Sequence, residues 1–173
     1  QLTTVDELKE NSEPYLENLY AYLKAEYPSA RFLWHNTWVY EVGFTDENNE
    51  ARNVPNRENQ ILRYNNVELF AEYVCDTYDV EEVPTGVAWN EVRDDGYFGL
   101  CGRTSTGNSE YGDFYHDGDV GGGQFLNACV WYEVLTGKSC LELKYVPDYK
   151  MNYSADSLRQ YAHDAVVSVY GNE

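Results

Sequence analysis

The sequence predicts an α/β fold, in which a parallel β-sheet carries helices on both faces. Segments with helical spacing of apolar residues alternate with short apolar and aromatic segments bounded by turn residues. Strands that alternate with helices in this way typically form parallel sheets. The chain has 173 residues, of which 43% are hydrophobic, enough for one domain with its own core. We therefore treat residues 1–173 as a single α/β domain.

The first two predicted elements are a helix and a buried strand. Residues 1–13 are polar and predict a loop, and Pro14 suits the first turn of the helix that follows. The aromatic segment at 31–38 predicts a strand whose polar end, with His35 and Asn36, emerges at one edge of the sheet. The later predicted elements are, in chain order, a polar insertion at 45–59, a helix at 60–77, a strand at 83–89, a glycine-rich polar insertion at 94–112, and helices at 124–135 and 154–170.

Capping residues support the last two predicted helices. Gly137 can take the left-handed conformation that ends the helix at 124–135. Ser154 is a favourable N-cap for the helix that continues to Tyr170. Because two strands form a poor sheet, the sequence also predicts that this chain is the C-terminal portion of a domain whose N-terminal strands are missing from it.

The charge of the chain makes some partners unfavourable. Thirty acidic residues against 12 basic ones give a formal net charge of −18. Such a field repels phosphate backbones and anionic lipid surfaces, so we expect neither nucleic-acid nor membrane binding. Neutral or cationic ligands, or metal ions, fit it better. The 17 tyrosines and 4 tryptophans agree equally with stacking on sugar rings and with ordinary core packing.

The four cysteines, Cys75, Cys101, Cys129 and Cys140, allow three complete pairings, among which the sequence does not choose. Cys129 lies within an apolar helical segment, as a buried thiol would. Cys101 and Cys140 lie in loop-like sequence, where a disulfide would form in an oxidising compartment. The cysteines thus lean towards an extracellular location.

The most informative segment is the glycine-rich loop before the helix at 124–135. It sets Asp113 three residues before His116, so the carboxylate can hydrogen-bond the imidazole while the ring faces a cleft. That arrangement suits a histidine acting as a general base. Asp117 and Asp119 are alternatives to Asp113 as the functional acid. The three aspartates also resemble an oxygen cage for Ca²⁺, although they lack the spacing of an EF-hand and its closing glutamate.

A substrate pocket is expected beyond the carboxyl ends of the strands, where ligands bind in open α/β sheets. The first strand delivers His35, Asn36 and Trp38 to this edge, and the second delivers Trp89. We predict that these four residues line the pocket beside His116. The competing interpretation of His35 is an ordinary hydrogen-bonding residue at a strand end.

Three blocks of the sequence together resemble a family of bacterial enzymes. They are PYLENLYAYLKAEYPSARFLWHNTWVYE, VPTGVAWNEVR and YHDGDVGGGQFLNACVWYEVLTGKS, and they cover most of the chain between Pro14 and Cys140. They are similar to consecutive blocks of an SGNH-hydrolase-like (GDSL-like esterase) family of uncharacterised function. The resemblance implies an SGNH/flavodoxin-like three-layer parallel sheet, with His116 as the catalytic base and Asp113 as its orienting carboxylate. Such chemistry requires no metal or organic cofactor.

The resemblance also implies a component that this chain lacks. SGNH enzymes carry their nucleophilic serine in a G-x-S-like block after the first strand, and no serine here sits on a strand-to-helix turn with small neighbours. We expect the isolated chain to be inactive, with the serine supplied by an N-terminal segment of the parent protein. The implied function is that of a secreted or cell-surface bacterial O-acetylesterase acting on acylated carbohydrates or other small esters. The alternatives are a non-catalytic carbohydrate- or protein-binding module that keeps the scaffold, and a purely structural domain.

Overall fold

A computed structural model describes residues 4–40, 42–48, 50, 53–95, 122–148 and 153–171. Of these residues 66% are helical and 4% lie in strands. The main elements are α1 (Val5–Glu26), β1 (Leu33–His35), α2 (Arg57–Tyr78), β2 (Glu81–Val83), α3 (Thr85–Asp94), α4 (Gly123–Thr136) and α5 (Ala155–Tyr170), with a 3-10 turn at Cys140–Glu142. No helix within these ranges combines the length and the apolar character of a membrane span.

The predicted three-layer parallel sheet is wrong. Among the described residues the sheet has two short strands, β1 and β2, which run parallel and are connected through α2. Leu33 lies opposite Glu81, and His35 lies opposite Val83. The fold is therefore mostly helical, with one β-α-β unit.

The strands are short because the chain turns into α3 where a second long strand was predicted. In the segment 83–89, Pro84 follows the last residue of β2 and has no N–H to donate to a sheet ladder. The next two residues also stay outside the sheet ladder. The Thr85 hydroxyl and the Gly86 N–H both donate to the carbonyl oxygen of Asn36. That carbonyl follows β1, so the same contact ends both strands.

The first helix begins earlier than predicted. Thr4 and Glu7 form a capping box: the Thr4 hydroxyl accepts from the Glu7 N–H at 3.2 Å, and the Glu7 carboxylate accepts from the Thr4 N–H at 2.9 Å. Pro14 therefore lies inside α1, and residues 5–13 are helical instead of forming a loop. No residue of α1 is buried, so water can hydrate the carbonyl that the proline leaves without an amide donor.

The capping predictions for the last two helices are confirmed. Gly137 follows α4 with a left-handed φ of 66° and donates its N–H to the carbonyl of Glu133 at 2.8 Å. The Ser154 hydroxyl accepts from the N–H of Ser157 at 3.0 Å at the start of α5. Both ends are set by local chemistry, which is why the sequence predicts them well.

The hydrophobic core lies where α3, α4 and α5 pack together, against one face of β2. It includes Val87, Val92, Leu126, Val130, Leu158 and Ala162, each at most 7% exposed. The carboxyl ends of β1 and β2 lie beside this core, next to the first residues of α3.

Candidate functional site

The segment that follows β1 crosses closely over the start of α3. The Asn36 N–H donates to the carbonyl of Val83 at 3.1 Å, and the Asn36 carbonyl accepts the Gly86 N–H at 2.9 Å. A Cβ at Gly86 would lie 2.5 Å from the carbonyl oxygen of Thr37, so no larger residue fits there without a backbone shift. This close approach fixes the position of the segment that carries three of the predicted site residues.

Three of the four predicted pocket residues lie in one aromatic cluster. The indoles of Trp38 and Trp89 are stacked, with ring centroids 4.9 Å apart and 17° between their planes. The His35 ring lies 6.2 Å from Trp38 and 5.4 Å from Trp131 of α4, centroid to centroid. We call His35, Trp38, Trp89 and Trp131 the aromatic cluster.

Trp131 is the member of the aromatic cluster that the sequence reasoning missed. Asn127 and Trp131 are four residues apart on α4 and so share one helix face, but the sequence does not show what that face contacts. The Trp89 indole N–H donates to the Asn127 side-chain oxygen at 2.7 Å. That hydrogen bond brings this face of α4 against α3.

The members of the aromatic cluster differ in burial. Trp89 is 1% exposed, and the Arg93 guanidinium lies 5.3 Å from the centre of its ring. Arg93 also donates to the carbonyl of Val39 at 2.8 Å, which holds the segment after Trp38 against α3. Trp89 therefore supports Trp38 from below. The surface that a ligand can reach consists of the exposed His35 and the half-buried Trp38 and Trp131.

The environment of His35 favours its neutral form. Its ring lies against those of Trp38 and Trp131, and the loss of hydration on that side lowers the pKa of His35 below its ordinary value. At neutral pH the imidazole is therefore uncharged. In that form one ring nitrogen donates and the other accepts a hydrogen bond.

Asn36 lies on the opposite face of the sheet from His35, because side chains alternate along an extended chain. It is fully buried, and its amide nitrogen donates to Glu82 of β2 at 2.7 Å and also to Glu68 of α2. Burial raises the pKa of Glu68 to about 7 and also raises that of Glu82. The second atom of the amide, Oδ1, has no hydrogen-bond partner within the described part of the chain.

These contacts give Asn36 a positional role. Its side-chain amide bonds carboxylates of both α2 and β2, and its backbone bonds β2 and the start of α3. Asn36 therefore holds in place the end of β1, from which His35 and Trp38 extend. The two carboxyl groups on its amide were not predicted as site residues. Glu68 gives no sequence signal, since it occupies a helix in which glutamates are frequent.

The predicted catalytic pair, Asp113 and His116, lies outside the described residues, as do the alternatives Asp117 and Asp119. The described chain resumes at Gly122, the N-cap of α4. Among the residues that are described, no three His, Cys, Asp or Glu side chains are grouped in a way that could hold a metal ion.

Comparison with known proteins gives one informative similarity. No family model and no curated protein matches the chain. The crystal structure of a DUF4886 family protein from Bacteroides uniformis ATCC 8492 is similar, with a TM-score of 0.66 and 19% sequence identity. The match covers 93% of this chain and 57% of that one. The chain thus shares a fold with this protein and spans a little over half of its length.

Proposed function

We propose that the chain is part of an ester hydrolase that acts on acylated carbohydrates. In this proposal the chain contributes the aromatic wall of the substrate pocket and the general base. The observation that carries it is the aromatic cluster, which follows the carboxyl ends of two parallel strands and keeps part of Trp38 in contact with solvent.

The accessible members of the aromatic cluster suit a sugar. Trp38 has Trp89 behind it and keeps part of its surface in contact with solvent, so it offers a rigid flat face to the C–H groups of a pyranose ring. The neutral His35 beside it can exchange hydrogen bonds with sugar hydroxyl groups. The net charge of −18 also disfavours anionic substrates and agrees with an uncharged one.

The described chain resumes at Gly122, five residues before Asn127 of α4. His116 precedes Gly122 by six residues, a length of chain that spans at most about 20 Å. Gly122 begins α4, and Asn127 near the start of that helix bonds the indole of Trp89. In this proposal the imidazole of His116 acts on a substrate held on Trp38.

The proposed reaction is acyl transfer through a serine of another segment of the parent protein. His116 removes the proton from the serine hydroxyl as its oxygen attacks the acyl carbonyl, and Asp113 holds the imidazole in position. The imidazolium then gives its proton to the departing sugar oxygen. In the second half of the reaction water attacks the acyl-enzyme as His116 accepts its proton, and the imidazolium then gives that proton to the serine oxygen as the carboxylic acid leaves.

The test uses the full-length parent protein and two substrates, p-nitrophenyl acetate and an acetylated oligosaccharide. His116→Ala should remove turnover of both substrates, and Asp113→Asn should lower kcat for both. Asp117→Asn and Asp119→Asn are the matched controls and should leave both activities in place. Unchanged turnover in His116→Ala would end the proposal.

A second candidate is a carbohydrate-binding module without catalytic activity. It is favoured by the described serines Ser139, Ser154 and Ser168, whose hydroxyls are bonded to backbone groups of their own turn or helix. For this candidate, titration with oligosaccharides gives saturable binding, and no hydrolysis follows when the rest of the parent protein is present. Turnover by the full-length protein would exclude it.

A further inference from the structure

Two cysteines meet where the chain folds back after α4. Cys129 lies on α4 and Cys140 begins the 3-10 turn, and they are 1% and 0% exposed in the same hydrophobic core. Both are free thiols in this structure, and they lie close enough for each to shift the pKa of the other, that of Cys129 downwards and that of Cys140 upwards. The left-handed Gly137 between them reverses the chain and brings the turn back against the helix.

The surroundings of Cys140 hold its backbone in place independently of its thiol. The Cys140 N–H donates to the carboxylate of Glu133 at 2.5 Å. Its thiol donates to the carbonyl of Arg159 at 3.3 Å. That carbonyl lies inside α5, where the amide four residues later also donates to it, so loss of the thiol proton leaves no orphaned acceptor.

We infer that Cys129 and Cys140 are joined by a disulfide bond when the protein folds in an oxidising compartment. The oxidant is a second disulfide, such as glutathione disulfide or that of a thiol–disulfide oxidoreductase. One thiolate attacks this disulfide and releases a first thiolate. The other cysteine then attacks the mixed disulfide and releases the second. Two protons pass to water and two electrons to the oxidant.

The two thiols are suited to these unequal roles. The adjoining thiol of Cys140 and the positive charge of Arg159 lower the pKa of Cys129, which favours its thiolate, the attacking form. Cys75 on α2 differs from Cys129 both in the charge of its neighbours and in the direction of its pKa shift. Burial and the negative charges of Glu82 and Asp76 raise the pKa of Cys75 to about 12, so it stays a thiol.

The bond is mapped by tryptic digestion of protein folded in the presence of glutathione disulfide, with free thiols alkylated first. Cleavage after lysine and arginine places each cysteine on a peptide of its own: 64–93, 94–103, 104–138 and 139–144. The inference predicts a linked species of 104–138 with 139–144 that separates on reduction. It is overturned if the Cys140 peptide is found alkylated, or is linked to 64–93 or 94–103.

A second measurement does not depend on digestion. The disulfide would close a loop of the 12 residues from Cys129 to Cys140, so we expect reduction to lower the Tm by about 5–10 °C. The same shift should appear in Cys75→Ala, the matched control, and be absent in Cys140→Ala. An equal Tm with and without reductant in the unmutated protein would contradict the inference.

Discussion

The indole of Trp89 lies flat beneath that of Trp38, with 17° between the two ring planes, and donates its N–H sideways to Asn127 of the neighbouring helix. One ring is almost fully buried and the other is half-exposed. The pair therefore joins the core directly to the surface proposed to bind a ligand. This arrangement predicts that mutations of the two tryptophans have different effects.

Replacing Trp89 should affect mainly stability. Trp89→Ala empties a fully packed site and should lower the free energy of unfolding by about 3–5 kcal/mol. Trp89→Phe keeps a ring but leaves the Asn127 oxygen without its donor, and should cost about 1–3 kcal/mol. Urea denaturation measures both. If Trp89→Ala were no less stable than Trp131→Ala, the supporting role of Trp89 would be wrong.

Replacing Trp38 should affect mainly ligand binding. Trp38→Ala removes the flat face and should raise the Kd for an acetylated oligosaccharide at least about 10-fold, equivalent to roughly 1.4 kcal/mol. The matched control is Tyr22→Ala on α1, which removes a ring that is 62% exposed and does not belong to the aromatic cluster. Calorimetric titration compares the two variants. Equal affinities would remove Trp38 from the site.

Gly86 should tolerate no side chain. In Gly86→Ala the new Cβ meets the backbone of Thr37, which cannot move independently of the aromatic cluster, so we expect a loss of about 1–3 kcal/mol together with weaker ligand binding. Gly137→Ala is the control. Its strain comes from a φ of 66° in open space, so it should cost about 1–2 kcal/mol and leave binding unchanged. Denaturation and ligand titration of both variants test the contrast.

Stability should fall as the pH rises from about 4.5 to about 7. Burial raises the pKa of Glu68 to about 7, so between these values the folded state holds a proton that the unfolded state has lost. The raised pKa of Glu91 acts in the same direction. Glu68→Gln should therefore gain about 1–3 kcal/mol relative to the unmutated protein at pH 8 and much less at pH 4.5.

Chemical denaturation across this pH range measures the effect of Glu68. Glu91→Gln is the matched variant, and the two substitutions combined should flatten the pH profile further than either alone. A Glu68→Gln protein whose stability followed that of the unmutated protein at every pH would contradict the raised pKa.

The sequence predicts the parts of the fold that depend on neighbouring residues. The caps at Ser154 and Gly137 require one side chain or one backbone conformation, both visible in the sequence. The segment 83–89 is different, since a short apolar run suits a strand and a buried helix equally well. The helix is favoured by a hydrogen bond from the Thr85 hydroxyl to the carbonyl of Asn36, which is 49 residues away in the chain.

In the candidate site, too, some residues could be predicted from the local sequence and others could not. His35 and Trp38 are predictable because they follow a recognisable strand. Trp131 belongs to the site through a contact between α4 and His35 of β1 that the sequence does not show, and the Asn36–Glu82 hydrogen bond joins residues 46 positions apart. Packing between distant elements thus accounts for what the sequence could not supply.

The first helix, α1, contacts the rest of the described structure over a small surface. Its 22 residues include none that is buried, and it leans on α2 and the adjoining segment through contacts such as Tyr20 on Phe32 and on Tyr78. Local opening there breaks few interactions, so its amide protons should exchange with deuterium well before those of α4. A protease would accordingly shorten the chain from this side first and leave the three-helix centre standing.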